Sequence, residues 1–183
     1  MAASTKAPPV IFNPQHLEMF RLLPEWTIVI DPGETCGIAV RYGGAKVEKG
    51  DTYFDHYGTV TLDMDFAHDY LMKFIADAHR IGKTLAKVVI EEYRVYPEKA
   101  AMHSGKTIPT AEAIGGFKLI ARKANCPVVE QPAYIKETTA ALLKGRGIKS
   151  IGGSRHAMDA EIHMWYYTLR DQIDAARNRG TNN

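Results

Sequence analysis

The chain is poor in several things at once, and each shortage narrows what it can be. Its 183 residues include two cysteines, Cys36 and Cys126. They lie far apart and lack ligand-pair spacing, which argues against a disulfide framework and a thiolate-held zinc, so both are read as reduced thiols. No apolar run is long enough to span a bilayer. Excess charge of one sign is missing too: 23 basic against 21 acidic residues leave a formal +2. A nucleic-acid footprint, if there is one, must therefore be local. Met1 to Pro9 contains Lys6 with no apolar stretch behind it, so no secretory leader is expected and the expected location is cytoplasmic. There is no internal repeat and no linker-like segment. Residues 1–25 read as a tail and short helix, with Leu17, Phe20 and Leu23 on one stripe, and residues 26–183 as one domain with a substantial core.

Two apolar runs that each end in an acid stand out against this plain background. Ile28-Val29-Ile30 leads into Asp31, and Val88-Val89-Ile90 leads into Glu91. Continuous apolar runs of this length are the mark of strands buried on both faces, each delivering one polar group at its end. Gly43-Gly44 is a hairpin signal that predicts an antiparallel return over 45–50, with a third strand within 52–62. Apolar residues at helical spacing predict a helix over 63–81 stopped by Gly82, and others over 110–123, 133–143 and 155–177. Pro127 to Glu130 reads as a short strand. Hairpin strands followed by alternating helix and strand predict an α/β fold, a mixed sheet with helices on its faces.

Near the C-terminus, His156 and Asp159 stand at i and i+3 on a helix, so both can address one site. His163 lies on nearly the same face, either as a partner of the site or as a polar residue at the core boundary. Glu161 points elsewhere by helical geometry. Strand alternation sends Glu91 and its neighbour Glu92 to opposite faces, and the apolar-run spacing favours Glu91.

Four segments together resemble the RuvC-type Holliday-junction resolvases of the ribonuclease H-like superfamily. They are Ile30-Asp31-Pro32-Gly33 with Gly37-Ile38-Ala39-Val40, then Val89-Ile90-Glu91, then Glu130-Gln131-Pro132 with Lys136, and finally His156-Ala157-Met158-Asp159-Ala160. The resemblance spans about residues 27–168; Glu92 and Arg94 make the loop after Glu91 divergent from it, and a compact chain with this divergence also resembles bacteriophage-encoded members of the family. It implies a five-stranded sheet of antiparallel hairpin strands plus parallel strands, with helices on both faces. It implies a homodimeric, structure-selective endonuclease acting on branched DNA, with Mg²⁺ as cofactor and Mn²⁺ able to substitute. Asp31 would bridge two ions, Glu91 would hold one and Asp159 the other, with His156 as a ligand or an orienter of water. Two such ions stabilise the attacking and leaving oxygens of a phosphodiester.

Nucleic-acid contacts are expected from Tyr93, Arg94 and Lys106 after the second acid, and from Lys136 and Arg155 beside the site. Aromatics there can stack on bases while cations meet phosphates. The stripe Ala111, Ile114, Gly115 and Phe117 is a candidate dimer contact that could equally pack on the sheet. The alternatives are a flap, fork or RNA–DNA hybrid nuclease of the same fold, or a module that binds branched nucleic acid without cutting it. A sugar-kinase-like ATPase is disfavoured by the chain's length and its lack of a second phosphate loop.

Overall fold

The computed structural model describes residues 26–48, 51–82, 86–94 and 108–180. Strand β1 spans Trp26–Asp31, β2 Thr35–Glu48 and β3 Asp51–Asp63; helix α1 spans Met64–Arg80 and strand β4 Ala86–Glu92. Helix α2 runs over Pro109–Lys123, β5 over Val128–Pro132, α3 over Ile135–Gly145 and α4 over Arg155–Gly180. The five strands form one sheet in the order β3-β2-β1-β4-β5. β1 pairs antiparallel with β2 and parallel with β4, β2 pairs antiparallel with β3, and β4 parallel with β5. This is the mixed sheet with helices on both faces that the sequence implies.

Alternation along the buried strands sorts the core into two layers. Ile28, Ile30, Val88 and Ile90 pack with Phe74 of α1 and Phe117 of α2. Val29, Ala39 and Val89 face the other way and pack with Ala160, Met164 and Trp165 of α4. Trp26 stands edge-on to Tyr42 at 4.8 Å between ring centroids and tilts over Phe74 at 5.5 Å, closing one end of the first layer. α1 begins after Asp63 with Asp65 in its first turn, ends with His79 and Arg80, and is stopped by Gly82 at φ +76°. These charges complement the helix dipole, and the positive φ suits the residue without a side chain.

Two expectations change. Gly43-Gly44 is no hairpin turn: β2 runs on to Glu48, its partner β3 begins at Asp51, and the register shifts between Tyr42 and Ala45. Glycine inside a strand marks such an irregularity as readily as a turn, and the continued pairing beyond it favours the strand. Ile114 and Phe117 are buried in the core rather than offered to a partner, while Ala111 and Gly115 of that stripe stay exposed. Phe117 packs against the His68 ring of α1 at 4.4 Å between centroids, which takes it out of any dimer contact. Lys106, and the short helix expected to carry Leu17, Phe20 and Leu23, lie outside the described residues.

Candidate functional site

The register of the parallel strands builds the site. Ile30 pairs with Ile90 and Glu91 with Gln131, so Asp31, Glu91 and Gln131 form a row across the ends of β1, β4 and β5. They share the strand parity of Val29 and Val89, whose side chains face α4. Glu92 has the opposite parity and bonds Arg94 at 2.8 Å. Parity therefore directs Glu91 rather than Glu92 toward α4.

α4 supplies the other wall. His156 Nδ1 donates to Asp31 Oδ2 at 2.7 Å. One turn on, Asp159 Oδ2 accepts from Lys136 Nζ at 2.9 Å, and the same ammonium donates to Glu91 Oε2 at 2.8 Å and lies 3.8 Å from Asp31 Oδ1. Lys136 comes from the first turn of α3, just after β5. It sits amid the three carboxylates, beside the site as its place in the sequence implies. An unpaired acid cluster at a sheet edge is costly, and the nearest cation settles among the acids.

His163 is fully buried and touches this cluster directly. Its Nε2 lies 3.0 Å from Glu91 Oε2 and its Nδ1 lies 2.9 Å from Gln131 Oε1. A carboxylate only accepts, so Nε2 donates to Glu91, while the other ring nitrogen is held by the side-chain amide of Gln131. The sequence left His163 open between a partner of the site and a core-boundary residue, and the geometry makes it the former. In the sequence Gln131 stands only within the Glu130-Gln131-Pro132 motif, and its strand parity with Glu91 is the signal that marks it. Tyr134, exposed at the entrance to α3, helps line a cleft with Glu91, Tyr93, Arg94 and Pro132. An aromatic beside a strand-end acid is a weak sequence signal, and it was missed. Arg155 is exposed one residue before His156.

The close approach of α4 depends on one glycine. A Cβ on Gly37 of β2 would meet the His156 carbonyl oxygen at 1.9 Å, so only glycine lets the strand pass under the first turn of the helix.

Burial and mutual contact move the two strand acids in opposite directions. Burial, and then the hydrogen bond and charge of Glu91, push the Asp31 carboxyl up to about 7 against a downward pull from His156 and Lys136. For Glu91, burial alone would raise the value. Hydrogen bonds from His163, Asp31 and Lys136 outweigh it and hold the group at about 2. The two acids titrate as a pair, with the Asp31 carboxyl raised and the Glu91 carboxyl lowered. Lys136 is held above its usual range despite its burial, because Glu91 and Asp159 bond its ammonium.

No family model matches the chain, and no curated protein matches it in sequence. Among solved structures, Thermus thermophilus RuvC in complex with a Holliday junction substrate is similar at 18% identity, over 80% of this chain and 96% of that one, with a TM-score of 0.50. Thermus thermophilus RuvC alone gives the same identity and coverage with a TM-score of 0.49. An Aquifex aeolicus PPX-GPPA enzyme is 13% identical over 66% of this chain and 42% of its own, with a TM-score of 0.34. The fold is ribonuclease H-like. At these identities the likeness is one of fold, and what the chain does has to be argued from its side chains.

Among the described residues, no three His, Cys, Asp or Glu side chains form a ready metal-holding group. The donor chemistry nevertheless fits a hard divalent cation. Three carboxylates from separate elements gather around one ammonium, and burial followed by the neighbouring Glu91 raises the Asp31 carboxyl, so a cation placed among them would be favoured.

Among the described residues, no helix is long and apolar enough to cross a membrane.

Proposed function

We propose that this chain is a metal-dependent, structure-selective endonuclease that cuts branched DNA, four-way junctions foremost. The observation that carries the reading is the convergence of Asp31, Glu91 and Asp159, with His156, at the edge of a ribonuclease H-like sheet. Asp31, Glu91 and Asp159 are the residues that would hold Mg²⁺, or Mn²⁺ in its place. Bound there, such ions would lower the pKa of an attacking water and stabilise charge on the phosphodiester oxygens.

The chain's own groups supply the rest. His156 keeps Nδ1 on Asp31, which leaves Nε2 on the open side, where it can orient a water molecule or take its proton. His163 and Gln131 fix the Glu91 carboxylate in one orientation, as outer partners of metal-binding groups do. Lys136 holds the acids together when they lack other cations and stands where a scissile phosphate would approach them. Arg155 on one side, and Tyr93, Arg94 and Tyr134 on the other, offer cations and aromatic faces for the backbone and unpaired bases of a branch point. Lys106 is a further candidate DNA contact on sequence grounds alone.

A homodimer is part of the reading, since two sites would cut paired strands of a junction symmetrically. Met72 and Leu119, both exposed on the helices covering the first core layer, replace Ile114 and Phe117 as residues for that contact.

The test is cleavage of a labelled four-way junction, with linear duplex, flap and RNA–DNA hybrid as controls, with and without Mg²⁺. Symmetric metal-dependent nicks confined to the junction are expected. Asp159→Asn should abolish them while sparing junction binding, because it removes a ligand and a negative charge together. Cutting of flap or hybrid instead would move the chain to another nuclease activity of this fold. Junction binding without cleavage would leave a binding module.

A further inference from the structure

A second buried carboxylate lies on the side of α4 turned away from the acid cluster. Glu161 is 2% exposed, and the chemistry above does not use it. Its Oε2 accepts from Ser150 Oγ at 2.5 Å, from the Ile151 N–H at 3.0 Å and from the Gly152 N–H at 3.2 Å. Its Oε1 accepts from the Tyr57 hydroxyl of β3 at 3.4 Å. The three shorter bonds all come from the segment that leads into α4, and bonds to an ionised acceptor are the strong kind.

That segment packs on the second core layer through Ile148, while Ile151 beside the anchor is exposed. A pocket of about 350 Å³ that opens to solvent lies beside it, lined by Leu143, Lys144, Ile148, Lys149, Ser150 and Glu161. The end of the segment also fixes where α4 begins. A Cβ on Gly152 would come within 2.7 Å of the Met158 nitrogen, so the two backbones lie in contact. The Ser154 carbonyl accepts from the Met158 N–H at 2.9 Å, Ser154 Oγ accepts from the Ala157 N–H at 3.1 Å, and that hydroxyl also bonds Thr61 of β3. His156 sits inside this first turn.

We propose that Glu161 is a positioning residue: by holding Ser150 to Gly152 it sets the start of α4 and thereby keeps His156 on Asp31. A buried acid that only stabilises the fold would lower thermal stability without a local change at His156. The activity arm of the test rests on the nuclease reading; the other two arms do not.

The experiment compares Glu161→Gln and Glu161→Ala in the full chain. Glutamine can place its carbonyl oxygen where the three donors converge and turn its amide toward the Tyr57 hydroxyl, which can accept; alanine can do neither. Three readouts are taken: tryptic cleavage after Lys149, the imidazole NMR signals of His156 and His163, and junction cleavage at saturating substrate. With far-UV circular dichroism retained, Glu161→Ala should be cut at Lys149 at least about tenfold faster through local opening of the segment. It should move the His156 signal and leave that of His163 in place. It should lower kcat by about tenfold or more with junction affinity within about threefold of the parent.

Glu161→Gln should restore all three. An alanine variant with an unmoved His156 signal and a protected Lys149, or a glutamine variant as damaged as alanine, overturns the proposal. If Glu161→Ala does not fold, Ser150→Ala removes a single donor from an exposed residue. It should then show the same His156 shift at smaller size, and no shift overturns the proposal equally. A parent protein that cuts no DNA sinks the nuclease reading, while proteolysis and NMR still decide the role of Glu161.

Discussion

Consider Asp31→Asn, a change at a residue assigned to the chemistry whose first effect should be on stability. In the folded protein the Asp31 carboxyl is pushed from 3.8 to about 7, chiefly by burial and then by Glu91. A raised acid pKa means that the folded chain holds a proton the unfolded chain has released. Stability therefore falls as pH rises from about 4 to about 7, and the full penalty is present above that window. The shift of about 3 units corresponds to a ceiling of roughly 4 kcal/mol. Asparagine keeps the shape and an acceptor for His156 but never ionises. It also gives up the attraction of Asp31 for His156 and Lys136, so the expected gain is smaller, about 1–2 kcal/mol at pH 8.5. For a chain of this size that is a rise in Tm of roughly 2–8 °C.

The assay is thermal unfolding of parent and variant from pH 4 to pH 9 in chelator, repeated in millimolar Mg²⁺. The gap between variant and parent should shrink toward zero near pH 4, where Asp31 holds its proton in the parent as well. Glu91 does not blur this window. Its lowered value adds stability that is complete above about pH 4.5 and is lost only as pH falls through about 2. Mg²⁺ should raise the parent's Tm more than the variant's, since the ion relieves the repulsion that asparagine has already removed. A variant that is no more stable than the parent at pH 8.5, or that gains equally at pH 4 and pH 8.5, would refute the charge argument.

The remaining predictions concern the groups around that acid. His163→Phe fills the same space but strips Glu91 and Gln131 of their partner; it should cost about 1–3 kcal/mol in chemical denaturation and weaken Mg²⁺ binding by about tenfold or more in calorimetry. Lys136→Met leaves Glu91 and Asp159 without their ammonium, so Tm should fall in chelator and recover largely in Mg²⁺; a loss that Mg²⁺ does not repair would mean that Lys136 acts by packing alone. Gly37→Ala drives a methyl into the His156 carbonyl. It should destabilise by more than about 2 kcal/mol or displace α4 and abolish cleavage, and near-parent Tm and activity would contradict the close approach.

The strands that carry the acids are legible in the sequence because their signal is local and doubly determined. An apolar triplet before Asp31 and another before Glu91 announce buried parallel strands, and the period of two sets which acid shares a face with Val29 and Val89. The i, i+3 spacing of His156 and Asp159 is equally local. Gly43-Gly44 misled because a glycine pair is compatible with both a turn and a bulge, and only the long pairing of β2 with β3 decides between them. Phe117 offered the same ambiguity, since a stripe that packs on a sheet has the spacing of one that packs on a partner. His163 could not be settled from sequence because its role depends on Gln131, brought beside Glu91 by the β4–β5 register. Lys136 was legible as a neighbour of the site but not as its centre, which takes three elements to define.

One helix carries both sets of acid contacts, and its geometry explains how it can. Successive residues of an α-helix are about 100° apart, so Asp159 and His163 fall within about 40° of each other while Glu161 lies roughly 160–200° from them. Toward the sheet ends, α4 is held through Asp159 and His163 by Lys136, Glu91 and Gln131; on the other side, Glu161 holds the incoming segment and Tyr57. Rotating the helix to improve one set necessarily spoils the other. Its rotation is therefore over-determined by polar contacts, in addition to the apolar contacts of Ala160 and Met164. A site that needs an imidazole within 2.7 Å of a strand carboxylate gains from a helix that cannot turn.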